Sequence, residues 1–242
     1  NISHYNPLYV YGGVGMGKTH LLNAIGLSLK DKNKVMFISA ERFMYQFVKA
    51  IKSNEMVKFK EYFRNTDILL IDDIQFMNGK EAMQEEFFHT FNALIEKGSQ
   101  IVIASDRSPS NLNKIQERIK SRMSGGLVID IQPPDFETRV AIVMEKAEQN
   151  GLKLPYDIIE LIGTHIKTNI RDLEGTIIRL LAHSSLSNRE IDYDLAKSVI
   201  KERLGDAVSS ELTVEEIVKR VSETTKIKQK DFMTFFKKWK LL

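Results

Sequence analysis

Leu8-Tyr9-Val10-Tyr11-Gly12-Gly13-Val14-Gly15-Met16-Gly17-Lys18-Thr19, followed by His20-Leu21-Leu22-Asn23-Ala24-Ile25, is the stretch from which the rest of the chain is read. It begins as an apolar strand, passes through a glycine-rich turn and enters a helix whose first turn carries Lys18 and Thr19. Gly12, Gly17, Lys18 and Thr19 occupy the fixed positions of G-x-x-x-x-G-K-[ST]. Glycines let the backbone pass close to a polyphosphate, and the amides at the helix start point at it. Lys18 would reach the β- and γ-phosphates, and the Thr19 hydroxyl would hold Mg²⁺. A glycine-rich surface turn with an incidental lysine is the bland alternative. A chance match in a chain of this length has a frequency of roughly 1%, and the strand-to-helix setting lowers it further.

Downstream, Val35-Met36-Phe37-Ile38-Ser39 reads as a second strand. Glu41 to Lys52 has helical spacing, with Phe43, Phe47, Val48 and Ile51 apolar on a charged background, and Val57 to Phe63 is a second amphipathic helix. Asp67-Ile68-Leu69-Leu70-Ile71-Asp72-Asp73 is an apolar run ending in two carboxylates, the pattern of a parallel strand buried on both faces. A helix over 81–97 follows, then a strand over 100–106 and a fifth strand, Leu127-Val128-Ile129-Asp130-Ile131. Pro133-Pro134 breaks the chain. Beyond it only helical patterns occur, at about 137–149, 156–166, 170–183 and 192–203. Alternating strands and helices followed by helices alone predict an α/β nucleotide-binding subdomain over 1–134 and an all-α lid over 135–205. Residues 206–242 form a third segment.

The 242 residues are enough for such a domain with a smaller one attached, and 43% hydrophobic content supports a core. No apolar run approaches the ~20 residues of a membrane span, and nothing near Asn1 resembles a secretory signal. The absence of cysteine excludes disulfides and thiolate metal sites, and fits a cytosolic protein. The net charge of +3 is uneven: residues 213–242 carry eight Lys/Arg against four acids, leaving the rest at −1. That basic tail either meets an acidic partner such as nucleic acid or is an ordinary solvated helix face.

Asp72 and Asp73, at a strand's C-terminal end, sit where open α/β sheets bind ligands. Asp72 would position Mg²⁺ through water, and Asp73 would orient the water attacking the γ-phosphate; otherwise the two are solvated acids capping a strand. Asp106, ending the next strand, would sense the γ-phosphate or be an unremarkable strand-end acid. Arg118 and Arg122 lie four apart on one helical face, placed either to reach a neighbouring subunit's phosphate in trans or to form surface salt bridges. Arg171 opens a lid helix with Asn169 as its cap, and would fold over the γ-phosphate or pair with Asp172 or Glu174. His89 reads as a packed helix residue. No metal-ligand spacing and no nucleophile-base pair stands out elsewhere.

Phosphate loop, Asp72-Asp73, Asp106, Arg118 with Arg122, and Arg171 stand in the order of an AAA+ ATPase. Tyr5-Asn6-Pro7-Leu8, Leu70-Ile71-Asp72-Asp73-Ile74-Gln75-Phe76, Glu85-Glu86-Phe87-Phe88-His89-Thr90-Phe91-Asn92, Ala104-Ser105-Asp106-Arg107 and Arg171-Asp172-Leu173-Glu174-Gly175 narrow this. Over about 5–232 the chain resembles the DnaA family of bacterial replication initiators.

The resemblance implies that Gly12, Gly13, Val14, Gly15, Met16, Gly17, Lys18, Thr19 and His20 bind ATP or ADP, with Thr19 and Asp72 serving Mg²⁺. It makes Asp73 the residue of the hydrolytic water, Asp106 the first sensor and Arg171 the second, the latter also touching nucleotide. Arg122 matches the arginine finger that reads ATP on the adjacent protomer, Arg118 its companion, and Arg64 a subunit-contact position. Most AAA+ relatives carry Glu where Asp73 stands; the shorter side chain predicts slow hydrolysis. The helices around 41–63 resemble the initiator-specific insertion, and Val48 and Lys80 match positions that grip single-stranded DNA. A basic residue often found two positions after Lys80 is Ala82 here, which predicts a weaker grip.

The reading that follows is an ATP-switched initiator core. It assembles into a homo-oligomeric filament on single-stranded origin DNA, engages the replicative helicase, contacts acidic lipid without spanning the membrane, and is cytoplasmic at the nucleoid. The family's helix-turn-helix, which reads duplex origin boxes, has no counterpart in these residues, so duplex contact is expected only where that domain is present. The chain is then either a fragment or a natural truncation. A DnaA-like inactivator or helicase loader is the alternative; the likeness of 213–232 to the start of a DNA-binding domain weighs against it. A phosphate-loop GTPase or small-molecule kinase fits less well, since no N-K-x-D string is present.

Overall fold

Five short strands, β1 (Leu8–Gly12), β2 (Val35–Ser39), β3 (Ile68–Asp72), β4 (Gln100–Ser105) and β5 (Leu127–Ile131), pair in parallel in the order β2-β3-β4-β1-β5. This computed structural model describes residues 5–187, 190–204 and 222. The sequence-derived segment 206–242 therefore lies outside the described residues, apart from Ser222.

The core follows from the two-residue period of a strand. Leu69 and Ile71 of β3 and Ile101 and Ile103 of β4 point into one buried cluster. Ile68 and Leu70, with Val102 and Ala104, point into another on the opposite face. All five residues of β3 are buried, as a run without polar alternation requires. Helix α1 (Lys18–Leu29) covers the second face through Leu22.

The first face is covered by α2 (Ala40–Lys52), α3 (Met56–Arg64), α4 (Glu81–Lys97) and α5 (Glu117–Ser124). Its centre is aromatic. The Phe43 ring lies 4.8 Å from that of Phe63, 5.3 Å from Phe59 and 6.0 Å from Phe87, all edge-on, the arrangement the ring quadrupoles favour. Helix α2 starts one residue before the sequence pattern suggests, because Ser39 Oγ accepts from Arg42 N and caps it. The third strand is shorter than the apolar run: Asp67 turns aside to accept from Lys34 N, and Asp73 leaves the β region.

Four more helices complete the described chain: α6 (Phe136–Gln149), α7 (Tyr156–His165), α8 (Ile170–Ser187) and α9 (Tyr193–Leu204). The chain divides into two compact units. The first runs to Ile142 and takes in Lys167–Glu174; the second comprises Val143–Ile166 and residues from Gly175 onward. In the second, α7 packs on α9, with Ile158, Ile159, Ile162, Ala196, Val199 and Ile200 buried. No helix among the described residues is long and apolar enough to cross a membrane.

Candidate nucleotide site

The strand order sets the site. β1 and β3 flank β4, so the loop after β1 and the acids after β3 and β4 meet along one carboxyl edge of the sheet. Gly17 caps α1 at φ 86° with no side-chain hydrogen bond. A Cβ is strained there, and the first amides of α1 have no side-chain cap, as an anion cradle requires. Gly15, at φ 76°, lies against Asn169: a Cβ on it would stand 2.7 Å from Asn169 Oδ1.

Lys18 is buried, its Nζ donating to Gly12 O at 2.8 Å and Gly13 O at 2.7 Å. Burial pulls its pKa below the usual lysine value, opposed by Asp73, Asp72 and Asp106 and reinforced by Arg171. Four charged groups thus act on the Lys18 ammonium. Thr19 Oγ1 donates to Asp72 Oδ2 at 2.6 Å. The other Asp72 oxygen accepts from Asp73 N at 2.9 Å, and Asp72 is 4% exposed. A hydroxyl and a carboxylate in contact at the start of α1 form an oxygen pair suited to Mg²⁺. The residues fit a Mg²⁺-nucleotide. Val14 and His20 are exposed, and Met16 is half-buried.

Asp73 adopts a left-handed backbone, φ 54° and ψ 48°, uncommon for a residue with a side chain. Its Oδ1 accepts from Gln75 Nε2 at 2.9 Å. Asp106 is gripped by its own neighbour: Arg107 Nε and Nη2 donate to its two oxygens at 2.9 and 2.6 Å. That fork holds the Asp106 carboxyl below its usual range. Tyr9 O–H donates to Arg107 O at 2.9 Å, fixing the backbone of the pair, and burial pushes the Tyr9 phenol up.

Arg171 stands in the first turn of α8, and the structure brings that turn to the phosphate loop. Ile170 N donates to Gly15 O at 3.0 Å, and Asn169 Oδ1 caps the helix by accepting from Asp172 N at 2.9 Å. The Arg171 side chain is exposed.

The two arginines of α5 differ. Ile119 and Met123 bury one face of that helix, leaving Arg118 and Arg122 on the exposed one. Arg118 is held within its own chain, by Glu85 and Gln116 and with its guanidinium 4.6 Å from the Phe88 ring centroid. Arg122 is exposed and has no ion pair among the described residues. Arg64 pairs with Glu86 at 2.8 Å. Val48 lies exposed on α2, and Lys80 is the half-buried residue preceding α4. His89 is half-exposed, its Nε2 3.1 Å from Glu85 Oε1, so it lies on the flank of α4 rather than packed in the core.

Three polar residues have a role here that residue patterns did not disclose. Gln75 joins Asp73 to the end of β4; Arg107 occupies Asp106; and Gln84, 1% exposed, spans Met77 O, Lys114 O and Gln116 N at 2.8, 2.8 and 3.0 Å. Gln75 lies two residues after Asp73, a spacing that would have drawn notice had the tight turn over 74–77 been foreseen.

A phosphate loop after the first strand, paired acids after the third and this strand order define a P-loop nucleotide-binding domain of the AAA+ class. The RuvB Holliday junction branch migration motor of Thermotoga maritima shares the fold, at 16% identity and a TM-score of 0.61 over 91% of this chain and 70% of that one. The family described as the bacterial DnaA ATPase domain matches residues 1–130. Domain III of the T. maritima replication initiation protein DnaA is 42% identical, with a TM-score of 0.79, covering 83% of this chain and 85% of that one. A replication initiator DnaA bound to AMPPCP and single-stranded DNA is 36% identical, with a TM-score of 0.72, over 90% and 68%. The chain belongs to the bacterial DnaA ATPase-domain family.

Proposed function

We propose that this chain is the ATP-switched core of a chromosomal replication initiator: it binds Mg²⁺-ATP, hydrolyses it slowly, self-assembles in the ATP state and engages single-stranded DNA. The observation that carries the reading is the Thr19–Asp72 hydrogen bond beside a buried Lys18, at the edge where Asp73, Asp106 and Arg171 act on the same ammonium.

The α1 amides and Lys18 hold the phosphates, with Gly12 to His20 as the binding segment. Thr19 and Asp72 hold Mg²⁺, which when bound neutralises charge on the phosphate oxygens. Asp73 orients the attacking water and accepts its proton. Asp106, beside that water, and Arg171, at the α8 start, read the terminal phosphate. Asp73 is one methylene shorter than glutamate, so turnover is slow and hydrolysis works as a reset. Arg122 has no partner of its own among the described residues and is the cation offered to the ATP of a neighbouring copy. An unneutralised phosphate at an interface is costly, so assembly follows nucleotide state. The relative bound to AMPPCP and single-stranded DNA supports engagement of a strand, and Val48 and Lys80 are the residues this reading assigns to it. Contacts with the replicative helicase and with acidic lipid, and a place at the nucleoid, belong to the same reading.

Light scattering with ATP, ADP and no nucleotide tests it. ATP alone is expected to drive assembly, and Arg122→Ala to abolish that while leaving ATP affinity within twofold. Assembly by Arg122→Ala equal to the unmutated chain overturns the trans role. A chain that stays monomeric with saturating Mg²⁺-ATP and leaves single-stranded DNA unbound overturns the initiator reading.

A further inference from the structure

Gln75 lies in the tight turn Ile74–Met77 that follows the two acids. Its side-chain oxygen accepts from Ser105 Oγ at 3.2 Å and from Asp106 N at 3.4 Å, both at the end of β4. Both partners are donors towards that atom, so the carboxamide has one orientation: oxygen to β4, nitrogen to β3. The nitrogen then donates to Asp73 Oδ1 at 2.9 Å. Asp73 Oδ2 has no hydrogen bond among the described residues.

We infer that Gln75 is a positioning residue for hydrolysis: it fixes the Asp73 carboxylate against the end of β4 and leaves one oxygen, Oδ2, to the attacking water. The inference rests on the ATPase reading above. Three observations carry it. Asp73 sits on a left-handed backbone, φ 54°, uncommon for a residue with a β-carbon and a conformation that collects at active sites. Gln75 restrains its side chain with an amide fixed at both ends. And the anchor is the backbone N–H of Asp106 with the hydroxyl of the fully buried Ser105, so the position of Asp73 is tied to the strand end that carries Asp106. A short acid held this way would keep a water in line more of the time than a free one, and general-base efficiency depends on that geometry.

In this step the water oxygen bonds to the terminal phosphorus as the bond to the bridging oxygen breaks, with both electrons leaving on ADP. The water's proton passes to Asp73 Oδ2 and thence to solvent or phosphate. Gln75 neither gains nor loses a proton; it holds Oδ1.

The test is single-turnover hydrolysis of Mg²⁺-ATP by the purified chain, alongside equilibrium binding of ATP and ADP. Gln75→Ala is expected to slow hydrolysis about tenfold, with both affinities within twofold of the unmutated chain. Ser105→Ala, a small change that leaves Asp73 and Gln75 present, is expected to slow it about threefold. A merely structural Gln75 would shift affinity and rate together, and that parallel loss overturns the inference. So does an unchanged rate in both variants while the unmutated chain hydrolyses. Should Gln75→Ala fail to fold, the rate-against-affinity split of Ser105→Ala decides. If the unmutated chain binds ATP but never hydrolyses it, the ATPase reading itself falls, an outcome distinct from the other two.

Discussion

Thr19 Oγ1 donates a 2.6 Å hydrogen bond to Asp72 Oδ2 across 53 residues of sequence. The bond joins the start of α1 to the end of β3 over the intervening β4, so the two oxygens meet only because the sheet has this strand order. Asp72 is 4% exposed, and its remaining donor among the described residues is Asp73 N. Removing the hydroxyl leaves a buried carboxylate short of a partner, which costs about 1–3 kcal/mol. Thr19→Ala is therefore expected to lose that much stability and most of the gain in ATP affinity on adding Mg²⁺, while Thr19→Ser retains both. Calorimetric ATP titration with Mg²⁺ and with EDTA, beside urea unfolding, measures the two effects.

The Asp106–Arg107 fork gives a pH-dependent prediction. Arg107 holds Asp106 below its ordinary value of 3.8. The folded state thus binds its proton less readily than the unfolded one, so the pair stabilises above pH 3.8 and the contribution is lost as pH falls through the depressed value. Arg107 is 41% exposed as a side chain and water screens the pair, so Arg107→Ala is expected to lower stability at pH 7 only slightly. In urea titrations the gap between variant and unmutated chain narrows below pH 3.8. A gap constant down to pH 2.5 would show that the stabilisation is not the ion pair.

Phe43 is fully buried between Phe59, Phe63 and Phe87. Phe43→Ala is expected to cost about 3–5 kcal/mol by lost transfer and cavity terms, and to lower the melting temperature by roughly 10 °C. Phe43→Leu keeps most of the volume, and its loss should be less than half as large. Scanning calorimetry separates them.

Gln84 satisfies two carbonyls and one amide of the segments leading from β3 and into α5. Gln84→Leu fills the space but leaves Gln116 N without its partner and takes one of two donors from Met77 O and Lys114 O, which keep Lys80 N and Gly79 N, and is expected to destabilise the chain by about 1–3 kcal/mol. Amide exchange should rise first at 114–117, ahead of the strands. Uniform exchange across the unit would mean Gln84 holds nothing local.

Under the initiator reading, Lys80→Ala should weaken single-stranded DNA binding for all sequences alike. The slope of log affinity against log salt should fall by about 0.7, one phosphate contact's worth. Val48→Ala should lower affinity with the slope unchanged. Fluorescence anisotropy over a salt series distinguishes a lost charge from a lost apolar contact.

Local chemistry in the chain was enough to read the phosphate loop, the five strands and the main helices. Glycine spacing, an unbroken apolar run at Ile68–Ile71 and 3.6-residue periodicity are properties of neighbouring residues, so they appear in linear order. The pairing of Thr19 with Asp72, the docking of Ile170 and Asn169 on Gly15, and the bridge from Asp73 through Gln75 to β4 were decided by tertiary structure alone. So was the difference between Arg118, spent on Glu85 and Phe88, and Arg122, left exposed four residues later. The physical reason is range: a hydrogen bond reaches about 3 Å. Which polar groups come within it depends on strand order and helix packing, and neither is written in any one stretch of the chain.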